Sequence, residues 1–504
     1  MSLYLTLKDG ITIEYKSKKF PMKKSQIRQS LKKLNLDVFW NTEILNYYSV
    51  DSSAYKIIPT VVVIPKKEQD VISVVKFAYK NKISVTVRGA GTGLVGSALN
   101  NGIVMDLKNL NNFKINKDFV NVGVGINKGV LDKLLKSKAK FFPPNPSIGP
   151  YCSLGGIIGN NASGSRTLKY GSAIDNVDEI TFIDGLGEKI TLPKNQKVGK
   201  KIIKCAKQID VNQFPKTSKN SCGYRLDSIN SLKDTHKALI GAEGTLGIIL
   251  SAKIHVEKIP SKRLLFVIEY PSSKIAARDC IKIKNSKPSA LEYIDKSTLG
   301  NIDFKFGKNV NCLLFVEYDS NIKNSEKKLL KCIAGKIVKK ITREKDVEKW
   351  WKYRDLALSY SLKSIKKDTQ NIHIIEDAAV PLEKLENLFL IIDKLNGKFH
   401  TRAIMYGHAG NGNIHVRLIL NSQKPLILEK ISEEYFDQVI HLGGTISGEH
   451  GDGIARSRFI RKQYGGENFK IFKELKLLLD PKKILNPGKI TSNQSQQKVL
   501  KVVK

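Results

Sequence analysis

A glycine loop with no room for a helix constrains this chain more than any other feature. Gly91-Thr92-Gly93-Leu94-Val95-Gly96 follows the strand-like run Ile83-Ser84-Val85-Thr86-Val87-Arg88 and spells GxGxxG. A Rossmann dinucleotide fold needs a helix to open at the third glycine, so that its N-terminus holds a pyrophosphate. Here Ser97-Ala98-Leu99-Asn100-Asn101-Gly102 follows Gly96, and a second strand run, Ile103-Val104-Met105-Asp106-Leu107, begins at once. That context excludes the Rossmann reading. Two remain: an ordinary tight connection, or a nest of backbone N–H groups over Arg88–Gly96 aimed at a diphosphate.

A second loop favours the nest. Pro143-Pro144-Asn145-Pro146 leads into Ser153-Leu154-Gly155-Gly156-Ile157-Ile158-Gly159-Asn160-Asn161-Ala162-Ser163-Gly164-Ser165-Arg166. Glycine loses the most backbone freedom on folding, so this much of it is costly as structure alone. A flat, polar, multi-ring ligand touched by backbone amides explains the composition. Gly241-Ala242-Glu243-Gly244-Thr245-Leu246-Gly247 is a third such loop, expected to open into a strand over Thr245–Ala252.

At 504 residues the chain exceeds one ordinary core, and two or three domains follow. Residues 1–50 read as a helical lead-in carrying Leu31, Leu34 and Phe39. Thr60–Ile64 is a β-branched strand run, and Val71, Val74, Val75 and Ala78 mark one helix face. A second α/β region begins after Pro260. In it, Leu264–Tyr270 and Cys312–Tyr318 read as strands, Glu344–Leu362 as a helix, and Thr401–Leu420 as strand, glycine turn, strand. A last helix, Phe459–Leu479, stops at Asp480-Pro481, and Thr491–Lys504 is a polar, fraying tail.

Several function classes drop out. No run of 18 apolar residues occurs, so no transmembrane helix is expected, and the first residues lack a signal-peptide pattern. Six cysteines are scattered without a CxxC, against a disulfide framework or an iron–sulfur cluster in this chain. The cytoplasm is the expected compartment. The formal charge of +38 is spread end to end as lysine pairs and triplets with few interleaved aromatics, which argues against specific nucleic-acid binding. It leaves room for weak peripheral adhesion to the inner face of an acidic membrane.

Chemistry concentrates near the C-terminus, in Tyr406-Gly407-His408-Ala409-Gly410-Asn411-Gly412-Asn413-Ile414-His415 and Ser447-Gly448-Glu449-His450-Gly451-Asp452-Gly453. Three of the chain's eight histidines fall there. On one helix His408 and His415 would stand about 10 Å apart along the axis. On one straight strand they would face opposite sides. The Gly410–Asn413 turn lets both imidazoles reach one point. After it, Asn413, His415, Arg417 and Ile419 alternate with Ile414, Val416, Leu418 and Leu420, a strand expected to be half-buried. His408, His415 and Glu449 then form an N₂O set suited to Zn²⁺ or a similar divalent ion. The alternative is a pair of surface histidines in a glycine-rich hairpin.

The order of these motifs, with Lys169-Tyr170-Gly171, Asn220-Ser221-Cys222-Gly223-Tyr224 and Leu485-Asn486-Pro487-Gly488-Lys489, resembles the vanillyl-alcohol-oxidase/PCMH flavoproteins. Within them the chain is similar to the FAD-linked 2-hydroxy-acid dehydrogenase branch: D-lactate dehydrogenases, the glycolate oxidase FAD subunit and D-2-hydroxyglutarate dehydrogenases. The resemblance runs from about Asp37 to Ile490. It implies an α+β fold: a PCMH-type FAD-binding domain of two α/β subdomains over 1–258 (core 55–258), an inserted α/β cap domain over 259–447, a C-terminal segment over 448–490 returning to the FAD domain, and a tail over 491–504.

The resemblance implies FAD on Arg88, Gly89, Ala90, Gly91, Thr92, Gly93, Leu94, Pro146, Ser153, Leu154, Gly156, Gly159, Asn160, Asn161, Ser163, Gly164, Glu243, Thr245, Ile248 and Asn486. Covalent members carry a histidine in the first loop; here Thr92 and no histidine stand there, so non-covalent FAD is expected. His450 matches the base, and Arg354, in Trp350-Trp351-Lys352-Tyr353-Arg354, matches the family's W-x-x-R position for the substrate carboxylate. A solvated helix arginine is the plainer reading of Arg354. Arg417, on the face of His415, is a second substrate contact. Leu358 and Arg417 stand where hydroxyglutarate-type members have threonine and asparagine, which favours D-lactate or glycolate. D-2-hydroxyglutarate dehydrogenase and an oxygen-using oxidase remain alternatives. Electrons are expected to pass to a separate acceptor: an iron–sulfur protein, an electron-transfer flavoprotein or a quinone. A homodimer stays open, and the rival classes are an NAD-linked dehydrogenase and a basic nucleic-acid-binding protein.

Overall fold

The computed structural model describes residues 20–363, 370–372, 375–420 and 425–492, together with the backbone of three short strands at Ser2–Thr6, Thr12–Lys16 and Val502–Val503. Side chains at 357–363 are not among those described, so Leu358 lies outside them, as does most of the tail from 493.

Three β-branched or apolar runs build the first sheet. Val61–Val63, Ile103–Asp106 and Val85–Arg88 lie parallel, with Val38–Phe39 antiparallel on the far edge. The helix Glu68–Asn81 crosses between them and buries Val71, Val74, Val75 and Ala78, the face its spacing predicts. Residues 89–102 run without any helix, so the glycine loop passes straight from strand to strand. The lead-in differs from expectation: it contains the helices Lys24–Lys32 and Thr42–Tyr48, but Ser2–Thr6 and Thr12–Lys16 pair as an antiparallel hairpin.

A five-stranded antiparallel sheet forms the second subdomain, in the order Lys189–Leu192, Val177–Ile183, Ile248–His255, Phe119–Gly123, Phe113–Ile115. The strand expected from Thr245 starts three residues later, because Thr245 hydroxyl and backbone groups stay in the turn.

Seven antiparallel strands make the third layer, in the order Lys336–Ile341, Leu264–Tyr270, Cys312–Tyr318, Ala290–Asp295, Arg402–His408, Asn413–Leu420, Gln370–Ile372. Its central strands are buried on both faces, which is why they read as unbroken apolar runs. Leu264, Phe266, Ile268 and Tyr270 pack toward the helices Ser273–Lys284, Ile322–Cys332 and Leu385–Phe399. Leu265 and Val267 face the opposite way, onto Trp350 and Trp351 of the helix Glu344–Lys363. Asn413–Leu420 is not half-buried as expected: its polar face is closed over as well, with His415 and Arg417 only 4% and 3% exposed.

After Pro481 the chain returns to the first sheet. Val85 N–H donates to Ile484 carbonyl at 2.8 Å and Asn486 N–H to Val85 carbonyl at 2.8 Å, a parallel extension of the edge strand. The helix Ile460–Leu479, kinked at Gly465, supports that return by burying Tyr464 and Phe472 against Phe214 and Tyr224. Among the described residues no helix is long and apolar enough to cross a membrane, and all six cysteines are free.

Candidate active site

One cavity of about 960 Å³ joins the glycine loops to the histidines. Of the residues assigned to FAD, Arg88, Gly89, Ala90, Gly91, Thr92, Gly93, Leu94, Pro146, Ser153, Gly156, Gly159, Asn160, Ser163 and Glu243 line it. A methyl group built on Gly159 would meet no protein atom within 4 Å, and on Gly93 none nearer than 3.5 Å. Protein packing therefore does not require glycine at these two positions, where the backbone is left open to close approach. The second loop is not wholly a loop. Ser153 caps a short helix, Leu154–Gly159, its hydroxyl accepting from Gly156 N–H at 3.2 Å.

The other six assigned residues lie behind the wall. Leu154 and Ile248 are core side chains. Asn161 donates to Asn220 carbonyl and accepts from Ile174 N–H. Gly164 sits against Asn145, where any side chain would strike the carbonyl at 2.1 Å. Thr245 bonds Ala242 carbonyl and the Tyr224 hydroxyl. Asn486 donates to Ser97 and Glu243 carbonyls at 2.9 and 2.7 Å, tying the first and third loops together. Arg88 lines the space while donating to Val50 carbonyl and lying beside the rings of Tyr47 and Tyr48, which line it too.

At the other end of the cavity the hairpin Arg402–His408/Asn413–Leu420 sets Tyr406 opposite His415. A single turn, Ala409–Asn411, and Gly412 at φ +67° close it. His408 Nε2 and His415 Nε2 each lie 3.2 Å from Glu449 Oε1, and His450 Nε2 lies 3.5 Å from the same oxygen. Each separation, taken singly, suits an imidazole and a carboxylate on one ion, because bonds of about 2.0–2.1 Å place tetrahedral ligands roughly 3.3 Å apart. Among the described residues, the group whose ligand atoms all lie within 4.8 Å of one another is Asp377, His415, Glu449 and His450; the expected ligand His408 is not in it and reaches the cluster through Glu449 Oε1. Asp377, however, stands on the Nδ1 side of the His415 and His450 rings, 3.9 Å from each. Its Oδ2 already accepts from Ser447 hydroxyl, Glu449 N–H and His450 N–H. Asp377 holds the 447–450 loop; Glu449 faces the imidazoles.

The Nδ1 atoms carry the remaining information. His408 Nδ1 meets Glu292 Oε1 at 2.7 Å, and Glu292 is ion-paired to Arg354. His415 Nδ1 faces Glu376 carbonyl at 3.3 Å, while His450 Nδ1 meets Glu376 Oε1 at 2.5 Å. Donation from Nδ1 to the Glu376 carbonyl leaves His415 a lone pair at Nε2, facing a carboxylate oxygen, whereas His408 faces a carboxylate at each nitrogen. A shared cation is what such a set of acceptors fits. Burial also lowers the His415 pKa, which keeps that ring neutral.

Charges around the cluster are fixed by partners. Burial works against the Glu449 carboxylate, yet Lys219 at 2.9 Å and the imidazoles hold its pKa well below the usual range. Ser163 hydroxyl also donates to Oε2, so Oε1 alone is left for the histidines. Glu376 is likewise ionised despite burial, held by His450, Arg417 and Arg456. For His450 burial opposes the charge, but Glu376 and Asp377 raise its pKa to about 9. Arg354 and Arg417 line the cavity at 4% and 3% exposure. Among the described residues, Arg354 Nε and Arg417 Nε and Nη1 find no hydrogen-bond partner.

Sequence reading missed Glu292, Glu376, Asp377 and Lys219. The pair Glu376-Asp377 was findable: two carboxylates interrupt the apolar run Ile374-Ile375 and Ala378-Ala379-Val380. Glu292, inside Ala290–Asp295, gave the same weaker signal, and Lys219 gave none.

Comparison with known proteins agrees with this architecture. Residues 59–193 match the family model of an FAD binding domain, and residues 259–490 match that of the C-terminal domain of FAD linked oxidases. The glycolate oxidase subunit GlcD of Bacillus subtilis is 28% identical, over 90% of this chain and 93% of its own length. The D-lactate dehydrogenase of Archaeoglobus fulgidus is 28% identical, over 85% and 91%. Among solved structures, an alkyldihydroxyacetonephosphate synthase overlays with a TM-score of 0.65 at 17% identity, covering 94% of this chain and 86% of that one, a likeness of fold. Two domains, three glycine loops and a titratable cluster at one cavity define an FAD-linked oxidoreductase. The chain carries the FAD binding domain and the C-terminal domain of FAD linked oxidases, and it is similar along most of its length to 2-hydroxy-acid dehydrogenases.

Proposed function

We propose that this protein oxidises a small D-2-hydroxy acid, D-lactate or glycolate first, to the 2-oxo acid. The observation that carries the reading is the single cavity shared by the glycine loops, the His408–His415–Glu449 cluster, His450 and the buried arginines. Among its relatives some are named for glycolate or D-lactate and others for D-2-hydroxyglutarate.

Arg354 binds the substrate carboxylate. Its guanidinium stays charged, because burial alone would disfavour the charge but Glu292 and Asp355 overcome it, and Nε is unbonded. His450 takes the hydroxyl proton at Nε2 once that nitrogen has lost its own proton, which its pKa of about 9 makes easier as pH rises, and the Glu376 carboxylate aims its ring at Nδ1. His408, His415 and Glu449 would hold a divalent cation, which supplies Lewis acidity that lowers the pKa of the substrate hydroxyl. Non-covalently bound FAD supplies the acceptor for the Cα hydride. Tyr406 and the closed strand face exclude water from the carboxylate end. The electrons then go to a separate acceptor, an iron–sulfur protein, an electron-transfer flavoprotein or a quinone.

One observation favours a second substrate reading. Arg417 has two unbonded nitrogens at the cavity wall, which suits a second anionic group such as that of D-2-hydroxyglutarate. An anaerobic screen tests both. The purified protein should be yellow, and D-lactate, glycolate or D-2-hydroxyglutarate should bleach the flavin band. A colourless preparation that reduces NAD, or a flavin bleached by none of them, overturns the proposal.

A further inference from the structure

Glu317 is a fully buried carboxylate on the central strand Cys312–Tyr318, and it joins the two domains. Arg166 reaches it from the FAD domain with both arms of its guanidinium, Nε to Oε1 at 2.6 Å and Nη2 to Oε2 at 2.9 Å. Trp351 Nε1–H donates to the same Oε2 at 2.6 Å, and the Arg166 guanidinium lies 4.9 Å from the Trp351 ring. Ser289 hydroxyl completes Oε1 at 3.3 Å, and Arg263 stands 3.7 Å from Oε2. Nearby, Lys169 and Tyr170 of the FAD domain both hold Asp319.

An apolar contact would join two domains without the cost of burying a carboxylate. What Glu317 adds is direction: a planar fork, an indole N–H and a stacked guanidinium fix position and angle together. The elements it fixes matter. Arg166 directly follows Ser165 in the loop that lines the cavity, and Ser163 of that loop bonds Glu449. Trp351 lies three residues before Arg354 on the helix Glu344–Lys363, so both side chains leave the same face.

We propose that Arg166, Glu317 and Trp351 are positioning residues for the substrate carboxylate subsite: they register the Arg354 helix against the cavity loop of the FAD domain. The inference rests on the reading of Arg354 as the carboxylate contact. None of the three acts on the reacting atoms.

The test is Trp351→Phe, which removes the N–H and keeps a ring, measured on FAD-loaded protein. Oxalate, a carboxylate probe with no hydrogen to give, is titrated by the change in flavin absorbance. Its Kd should rise at least fivefold, as should KM for the best hydroxy acid, with kcat within threefold and FAD occupancy unchanged. Arg166→Lys, which keeps the charge and loses the fork, should move the same way and serves if Trp351→Phe does not fold. Oxalate binding within twofold of wild type in the folded variants overturns the proposal. So does a parallel loss of kcat, oxalate binding and FAD, the mark of a purely structural contact. Wild-type protein that binds oxalate but is reduced by no hydroxy acid would instead overturn the reaction and leave the clamp standing.

Discussion

His415 and His450 stack as parallel rings, centroids 5.0 Å apart and planes 13° apart. One residue aims both, since Glu376 offers its carbonyl to His415 Nδ1 and its carboxylate to His450 Nδ1. His415 and His450 are therefore oriented by a single peptide unit and its side chain.

That arrangement makes stability depend on pH. In the folded chain the His450 pKa stands at about 9, against 6.5 for an ordinary histidine. The folded state thus binds this proton more tightly than the unfolded state. Its contribution is complete below the unfolded pKa and is lost as pH rises through the folded value. Chelator-treated protein should become easier to unfold with urea between pH 6.5 and 9. Glu376→Gln should flatten that slope, and an unchanged slope would refute the assignment.

His408→Ala should cut turnover by on the order of 10³-fold, the scale seen when a group stabilising developing charge is removed. FAD should remain bound, because the His408 ring bonds Glu292 and Glu449 and no residue of the first glycine loop. Flavin absorbance after gel filtration reads occupancy, and loss of flavin with activity would place the residue wrongly.

Dialysis against a strong chelator should abolish hydroxy-acid oxidation while leaving the yellow colour. Zn²⁺ or a similar divalent ion should restore it, measured as the rate of anaerobic flavin bleaching. Full activity in protein shown metal-free by elemental analysis would remove the cation from the mechanism.

Arg417→Leu separates the two substrate readings. If Arg417 meets a second carboxylate, kcat/KM for D-2-hydroxyglutarate should fall about 10- to 100-fold, as expected for a hydrogen bond to a charged group. D-lactate should change far less. Equal losses for both would assign Arg417 to holding Glu376, which lies 3.5 Å away.

Gly412→Ala should destabilise the protein by about 1–3 kcal/mol, the usual cost of a strained backbone site. Gly412 has φ +67°, and a methyl group there would stand 2.0 Å from the Val380 carbonyl. Thermal unfolding checks it, and an unshifted midpoint would mean that the hairpin tolerates another turn.

Legibility followed locality. The helix Glu68–Asn81 and the strands Leu264–Tyr270 and Cys312–Tyr318 were readable because their apolar spacing is a local signal. The helix Leu154–Gly159 was not, because three glycines hide a helix that Ser153 caps and the protein core supports. The half-buried strand expected over Asn413–Leu420 failed for a similar reason: alternation reveals two faces but not what covers them.

By itself, the amino-acid order determined that Gly91–Gly96 could not open a helix, and that His408 and His415 had a turn between them able to bring them together. Those are restrictions on a few consecutive bonds. Tertiary structure alone decided that Glu449 Oε1 would meet three imidazoles, and that Glu292, Glu376 and Lys219 would surround them. Convergence of groups from distant segments depends on how sheets stack and where strands end, and no local spacing carries that information.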